Sequence, residues 1–432
     1  MPSPLRWFML FGAVALVATA CGVEAQDSLT PVRVEVREVD GVYRLFRGGQ
    51  PYYIKGAGGG ASNMAKVAAR GGNSIRTWGT RNAAAVLDSA QALGLTVTLG
   101  LDVARERHGF DYSDSSAVAE QKERIREEIL KYRDHPALLV WAIGNELNLN
   151  ATNPKVWDAV NDISRMIHEL DPNHPTTTTL AGINEQLLAD VNERAPDLDL
   201  LSIQMYASIV TLPDFLKANP IGRPYIVTEW GATGHWEVEK TPWGAPIEDN
   251  SSMKADNYLE RYYAAIATDT THCLGSYVFL WGQKQERTPT WYGLFLESGE
   301  ETESVDVMQY IWTGTWPENR SPRVVSAELD GKTAYDGIRL KRGNTYPARI
   351  VSNDADGDSL SYFWDVKPEA TELGEGGDFE PTPESIDGLI ETNGLADVSL
   401  KTPEEPGAYR LFVYVYDGKG HAAHANIPFF VE

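Results

Sequence analysis

The feature that most constrains this chain is a regular alternation of short apolar runs with helix-patterned stretches. The runs are Tyr52–Gly56, Ser74–Trp78, Thr96–Asp102, Leu138–Ile143, Thr176–Leu180, Leu198–Met205, Tyr225–Thr228 and Ser276–Trp281. Between them lie helical patterns such as Ala83–Leu93, Ala117–Tyr132, Pro154–Leu170 and Met253–Thr268. Strands that alternate with helices imply a parallel sheet, because a parallel neighbour is reached only through a crossover. Eight such units over about 250 residues predict a closed (β/α)8 barrel, the TIM barrel. The rival, an open doubly wound sheet, should carry a G-x-G-x-x-G phosphate loop after its first strand. Ala57-Gly58-Gly59-Gly60 lacks that spacing and reads instead as a tight turn at the barrel rim.

The flanks read differently. Val32 to Arg47 alternates apolar and polar residues around Asp40-Gly41, which is hairpin chemistry. The barrel with this hairpin is expected over 31–316, and a polar, proline-bounded linker over 317–322. Beyond it, alternating strands at Arg323–Leu329, Tyr346–Ser352, Ser361–Val366, Tyr409–Tyr416 and Ala422–Val431 predict a small all-β sandwich over 323–432. Thr371–Pro383 is acidic and glycine-bearing and reads as a flexible loop.

At the start, Arg6, the apolar run Trp7–Ala18 and Ala18-Thr19-Ala20-Cys21-Gly22 have the order of an export signal. The run is short for a membrane span. Cys21 after small residues is similar to a bacterial lipobox, although Ala18 stands where leucine is usual; cleavage after Val23-Glu24-Ala25 is the alternative. The expectation is a lipoprotein-type leader over 1–21 and a periplasmic or cell-surface location, with the membrane met only through a lipid on Cys21. The other cysteine, Cys273, precedes an apolar run and is expected to be a buried thiol. A net charge of −23, from 38 basic and 61 acidic residues, argues against nucleic acid and anionic membrane as partners. It suits a neutral substrate better than a strongly anionic one.

The chemistry sits where strands end, since catalytic groups of this barrel occupy the C-terminal edge. The fourth strand runs into Gly144-Asn145-Glu146 and the seventh into Thr228-Glu229-Trp230-Gly231. A barrel brings those two ends to opposite walls of one cavity. Two such carboxyl groups suit acetal cleavage: one protonated and donating to the leaving oxygen, the other ionised and attacking the anomeric carbon. A retaining site calls for carboxyl groups about 5–5.5 Å apart, an inverting site for about 6.5–9.5 Å. Either glutamate alone could be a helix-dipole or ion-pair residue; the two together favour catalysis.

These glutamate motifs resemble those of clan A retaining glycosidases, and among them the TIM-barrel domain of glycoside hydrolase family 2. Tyr53-Ile54-Lys55-Gly56, Asn73-Ser74-Ile75-Arg76-Thr77-Trp78 and Asp134-His135-Pro136 support the resemblance, which spans about Val32–Trp312. It implies Glu146 as acid/base and Glu229 as nucleophile. It further implies that Asn145 bonds the sugar 2-hydroxyl, that Tyr206 holds the nucleophile and that Arg76 supports it electrostatically. Asp102 and His108 would shape the sugar site, and Trp281 would be the aromatic platform under the sugar ring. One departure is large: the family carries β-sandwich domains ahead of its barrel, and here only a hairpin precedes it. That leaves an open cleft, able to accept a polymer. Ala232–Ser252, with His235, Trp236 and Trp243, is a candidate substitute wall, and Lys284 and Arg287 could meet an acidic sugar or simply be solvated.

Nothing in the barrel calls for a cofactor or metal. The histidines are scattered, and the close pair His421 and His424 falls in the second domain; no nucleophile elbow supports Ser-His-Asp chemistry. Asn353-Asp354-Ala355-Asp356-Gly357-Asp358 resembles calcium-binding loops of extracellular sandwiches but has the wrong glycine spacing for an EF-hand and reads as a turn. Gly407-Ala408-Tyr409 and Tyr416-Asp417-Gly418-Lys419-Gly420 look like those of PKD or other Ig-like modules, which serve as spacers or glycan binders. Three readings of the whole follow: a retaining hydrolase of β-linked glycosides or glucans, a transglycosylase using the same glutamates, and a non-catalytic surface glycan-binding lipoprotein.

Overall fold

The structure is a computed structural model that describes Met1 and residues 30–432; the leader read over 1–21, Cys21 included, lies outside the residues described from 30 onward. Strands β1 (Val34–Val39), β2 (Val42–Arg47) and β3 (Gln50–Tyr52) form a small antiparallel sheet. Its first turn has φ of 53° at Asp40 and 78° at Gly41, the left-handed pair that a two-residue hairpin requires. The barrel strands are β4 (Ile54–Gly58), β5 (Ser74–Arg76), β6 (Thr96–Leu101), β7 (Leu138–Asn145), β8 (Thr176–Ala181), β9 (Leu201–Gln204), β10 (Tyr225–Glu229) and β11 (Cys273–Val278). They close in chain order, β11 pairing in parallel with β4 through Gly275 opposite Ile54 and Val278 opposite Ala57. All eight expected strands are present, with ends shifted by a few residues.

The crossover helices carry an apolar face inward. Helix Lys155–Leu170 shows the logic best: Val156, Trp157, Val160, Ile163 and Ile167 recur at three- and four-residue spacing and are buried against the barrel. Helix Ser115–Tyr132 begins at Asp114, whose carboxylate accepts from the backbone N–H of Ser116 and Ala117 and so satisfies two of the donors that a helix start leaves open. The hairpin sheet covers the N-terminal end of the barrel. Val34 N–H bonds the carbonyl of Asn173 just before β8, and Tyr43 N–H that of Thr271 just before β11. Val34 and Leu45 join Leu139, Val140, Ile226 and Leu274 in one apolar cluster there. Cys273 is buried, and burial pushes its thiol up to about 12.

The second domain packs two four-stranded sheets, β12 (Arg323–Leu329), β14 (Thr345–Asn353), β17 (Asp397–Lys401) and β16 (Ile390–Glu391) against β13 (Arg339–Leu340), β19 (Ala422–Val431), β18 (Gly407–Tyr416) and β15 (Ser361–Pro368). The three strands that the alternation did not reveal, β13, β16 and β17, are short, and two of them have only two residues.

The sandwich is fastened to the barrel. Residues 317–322 are pinned: Asn319 donates to Asp417 at 2.8 Å, and Ser321 N–H donates to Asp306 at 2.7 Å. Glu301 N–H bonds the carbonyl of Gly420, and Ala422 N–H bonds that of Glu301. At the centre of the interface Glu248 accepts from Lys254 at 2.5 Å, from Thr288 at 2.5 Å and, across the domain boundary, from Asn426 at 2.6 Å. Burial alone would raise the Glu248 carboxyl, but Lys254 and His424 more than reverse it and hold it at about 2. Its stabilisation is therefore complete above about pH 4.5 and is lost as pH falls towards 2.

Replacing Lys254 with methionine leaves Glu248 buried without its cation, which is expected to cost about 3–5 kcal/mol. Urea unfolding followed by circular dichroism checks this, with barrel and sandwich losing structure in one transition if the interface couples them.

Candidate active site

Side chains from five barrel strands converge at the C-terminal mouth. Arg76 ends β5 and is 1% exposed, so its charge must be met inside the protein. One arm donates to Glu229 at 2.6 Å and to the Thr228 carbonyl at 3.2 Å, and the other bonds Asn145 Oδ1. Glu229, the last residue of β10, also accepts from Trp78 Nε1 at 2.7 Å and from the Tyr206 hydroxyl at 2.9 Å. Burial first, and then the Glu229 charge, raise the Tyr206 phenol well above its usual value, so it stays a donor. A carboxylate fits this surround, because ionised it can only accept.

Asn145 ends β7 and its Oδ1 accepts from Arg76, from Gln204 at 2.9 Å and from Thr179 at 3.1 Å. With that oxygen fully used, the amide orientation is fixed and Nδ2 is the group left for the cavity. Glu146 follows in a left-handed conformation, φ 51°, after Gly144 at φ 74°. A Cβ on Gly144 would lie 2.7 Å from Leu147 Cδ1, so glycine is required there both for its φ and for space. The reversal ends the strand and presents Glu146 to the cavity. Its carboxyl group has no protein hydrogen-bond partner among the described residues. Burial, and then the neighbouring Glu229 charge, hold it up at about 7 against the pull of Arg107, Arg76 and Arg105.

Both glutamates line one cavity of about 530 Å³, within the range usual for small-molecule sites. Trp78, Tyr206, Trp236, Phe279 and Leu280 give it an apolar wall. Arg81, Arg105, Lys284 and Glu286 add charge, and Gly376 and Gly377 of the sandwich close one side. Tyr206 makes edge contacts with Trp236, Phe279 and Tyr292, which fix the ring that carries the hydroxyl bonded to Glu229.

The structure thus brings together Glu146, Glu229, Asn145, Arg76 and Tyr206, and separates three other residues from them. Trp281 is not a platform: it is 3% exposed, its Nε1 donates to the Asn63 carbonyl at 3.0 Å, and its ring packs on Phe295 and Trp312. Phe279 and Leu280, two and one residues earlier, face the cavity in its place. Asp102 turns to Thr80, accepting from its N–H and hydroxyl at 3.1 Å, and does not line the cavity. His108 meets Asp378 of the sandwich at 3.2 Å and also stays outside it. In the segment after β10, Trp236 is a wall of the cavity, while Trp243 packs on Phe430 of the sandwich. Lys284 reaches the cavity but is paired with Glu286 at 2.8 Å, and Arg287 is tied to Glu380.

Trp78, Arg105, Phe279 and Glu286 line the cavity without having been singled out from sequence. For Trp78 a signal existed, since it stands two residues beyond Arg76 on the same strand end. The others lie on loops, where no periodicity marks the facing side.

Residues 74–243 match the family model described as glycosyl hydrolases family 2, TIM barrel domain. Among solved structures, the Faecalibacterium prausnitzii beta-glucuronidase aligns with a TM-score of 0.54 at 16% identity, over 66% of this chain and 52% of that one. The Bifidobacterium dentium beta-glucuronidase complexed with coumarin-3-O-glucuronide aligns at 0.53 and 16%, over 65% and 49%. Bacteroides uniformis beta-glucuronidase 2, covalently bound to cyclophellitol-6-carboxylate aziridine, aligns at 0.51 and 15%, over 92% and 48%. The chain spans about half the length of these proteins, and at such identities the likeness is one of fold. No curated protein matches the sequence.

Because the Glu229 charge contributes to the raised Glu146 value of about 7, Glu229→Gln should lower it. A 13C NMR titration of the glutamate carboxyl carbons checks this; an unchanged Glu146 titration contradicts the coupling.

Proposed function

We propose that the protein is a retaining glycoside hydrolase acting on β-linked glycosides, with Glu229 as nucleophile and Glu146 as acid/base. The observation that carries this reading is the unequal setting of two carboxyl groups in one cavity. Glu229 is held by three donors, while Glu146 has none and retains its proton up to about pH 7.

In the first step a Glu229 oxygen forms a bond to the anomeric carbon as the glycosidic C–O bond breaks. The electron pair leaves with the aglycone oxygen, which takes the Glu146 proton. The product is a glycosyl ester of Glu229. In the second step Glu146, now a carboxylate, takes a proton from water; the water oxygen bonds the anomeric carbon and the ester bond to Glu229 breaks. Arg76, Trp78 and Tyr206 orient the attacking carboxylate before reaction, so little of its ordering remains to be done at the transition state. Asn145 Nδ2 is placed to donate to the sugar 2-hydroxyl. Phe279, Leu280 and Trp236 offer apolar contact to the faces of the sugar.

The sugar belongs to the same proposal. The strongly negative net charge of the chain suits a neutral glycoside, yet Arg81, Arg105 and Lys284 lie in the cavity wall, and solved relatives in fold are named beta-glucuronidases. Neutral and acidic β-glycosides are therefore both arms of the test. We further propose, from the leader alone, that the protein is exported and lipid-anchored at Cys21, and, from its motifs, that the sandwich is of PKD or Ig-like type.

On a panel of aryl β-glycosides, aryl β-glucuronides and β-glucans, the wild type should release sugar. Glu229→Ala should abolish turnover, and Glu146→Ala should lose about 10²–10⁴-fold on substrates with basic leaving groups and less on acidic phenols, which need little protonation. Binding of glycans with no turnover by the wild type would favour a glycan-binding role, and products longer than the substrate would mark transfer.

Glu146 must carry its proton in the first step, so kcat/KM should fall as pH rises through about 7. A pH–rate profile on the best aryl glycoside checks the limb; activity rising steadily to pH 9 contradicts the acid role.

A further inference from the structure

The mouth of the barrel is not the open cleft that the sequence leads one to expect. A segment of the sandwich, Gly374–Glu380, is fastened at its edge as a strap. On the β7 side Asn150 donates to Glu375 at 2.5 Å. Beyond β6, Arg107 donates to the Gly376 carbonyl at 3.2 Å, and His108 meets Asp378 at 3.2 Å. Beyond β11, Lys284 donates to the Gly377 carbonyl at 3.2 Å, Arg287 N–H donates to Glu380 at 2.6 Å, and the Arg287 guanidinium pairs with the same carboxylate. In the closed strand order β7 and β11 stand four places apart in a ring of eight, on opposite walls. The loops after both walls therefore meet on this segment, which closes one side of the cavity with Gly376 and Gly377.

The fastening is built into the sequence. Glu380 is 2% exposed and accepts from Gly374 N–H at 2.9 Å as well as from Arg287, so it closes the strap on itself while anchoring it to the barrel. Gly376 has φ 55°, and a Cβ there would lie 2.6 Å from Leu149 Cδ2. The left-handed φ and the close approach of Leu149 and Arg107 both favour glycine there. Gly376 and Gly377 then share the cavity with Glu146 and Glu229, and their own N–H groups have no partner among the described residues. Those N–H groups are the natural donors for hydroxyls of a bound saccharide.

We propose that this strap is a wall of the substrate cleft that limits how long a saccharide can occupy it, a specificity element supplied by the sandwich. The proposal rests on the glycosidase reading above. It assigns the second domain a part in substrate choice, and it replaces the expectation of a cleft open to a polymer with that of a cleft walled on one side by the sandwich.

Two variants loosen the strap without touching residues that line the cavity. Glu375→Gln/Asp378→Asn weakens its exposed contacts with Asn150, Arg107 and His108, and Glu380→Gln weakens the buried anchor. Each is assayed as the full chain on the aryl β-glycoside that the panel identifies and on β-linked oligosaccharides of the same sugar with two to six units. The expected result is a change under about threefold on the aryl glycoside, with kcat/KM on the longest oligosaccharide rising about tenfold or more and products of internal cleavage appearing. An equal factor at every length in both variants, or no change at any length, overturns the strap's role while leaving the glycosidase reading intact. A wild type silent on every substrate removes both. The exposed double variant keeps the test open if Glu380→Gln fails to fold.

Discussion

Burying a carboxylate under the rim of a barrel is costly unless a cation and several donors come with it, and the Arg76–Glu229 contact is where this protein meets that requirement. The guanidinium starts on β5 and reaches both β10, through Glu229, and β7, through Asn145. One planar fork thus ties together three strand ends that are remote in sequence. Its rigidity suits it to this work better than a lysine would be, since each arm has a fixed direction and a separate partner. Everything else at the mouth is arranged about that fixed point: Trp78 and Tyr206 complete the donors on Glu229, and Thr179 and Gln204 complete those on Asn145.

Glu146 derives its properties from being left out of this network. It has the same chemistry as Glu229 and shares its cavity, yet its backbone reversal carries it past the donors. Burial and the nearby negative charge then keep it protonated. The surroundings alone set the two identical side chains apart, one held among donors and the other left without them, which is the general way in which a pair of carboxyl groups comes to divide acid and nucleophile roles. The left-handed Glu146 costs on the order of 1–2 kcal/mol, a cost offset by the packed strand beneath it.

Much of this was legible in the sequence because barrel strands are simple signals. Buried on both faces, they read as apolar runs, and the polar residue that ends a run marks the mouth; Glu146 and Glu229 are legible in that way, whereas Arg76, Asn145 and Tyr206 come from the resemblance to family 2 barrels. The signal fails where the chain leaves the strand. β11 ends at Val278, and over the next three residues nothing in the composition says that Phe279 and Leu280 face the cavity while Trp281 turns in to pack on Phe295 and Trp312. The strap was illegible for a different reason: its acidic, glycine-bearing sequence resembles a solvated loop, and the cations that hold it, Arg107, Lys284 and Arg287, lie in the other domain. Contacts of such separation leave no periodic trace. Likewise the short strands β13, β16 and β17 are set by sheet neighbours more than by their own residues.

The central claim is that an oxygen of Glu229 bonds the anomeric carbon of the sugar. A 2-deoxy-2-fluoro β-glycoside with a good leaving group, matched to the active substrate, slows release of the glycosyl ester enough for it to accumulate. Intact-mass measurement followed by peptide mapping should then show one fluoro-sugar per chain, on the peptide that contains Glu229. Stoichiometric labelling of any other residue, or turnover that leaves no adduct while the product anomer is inverted, would contradict the account.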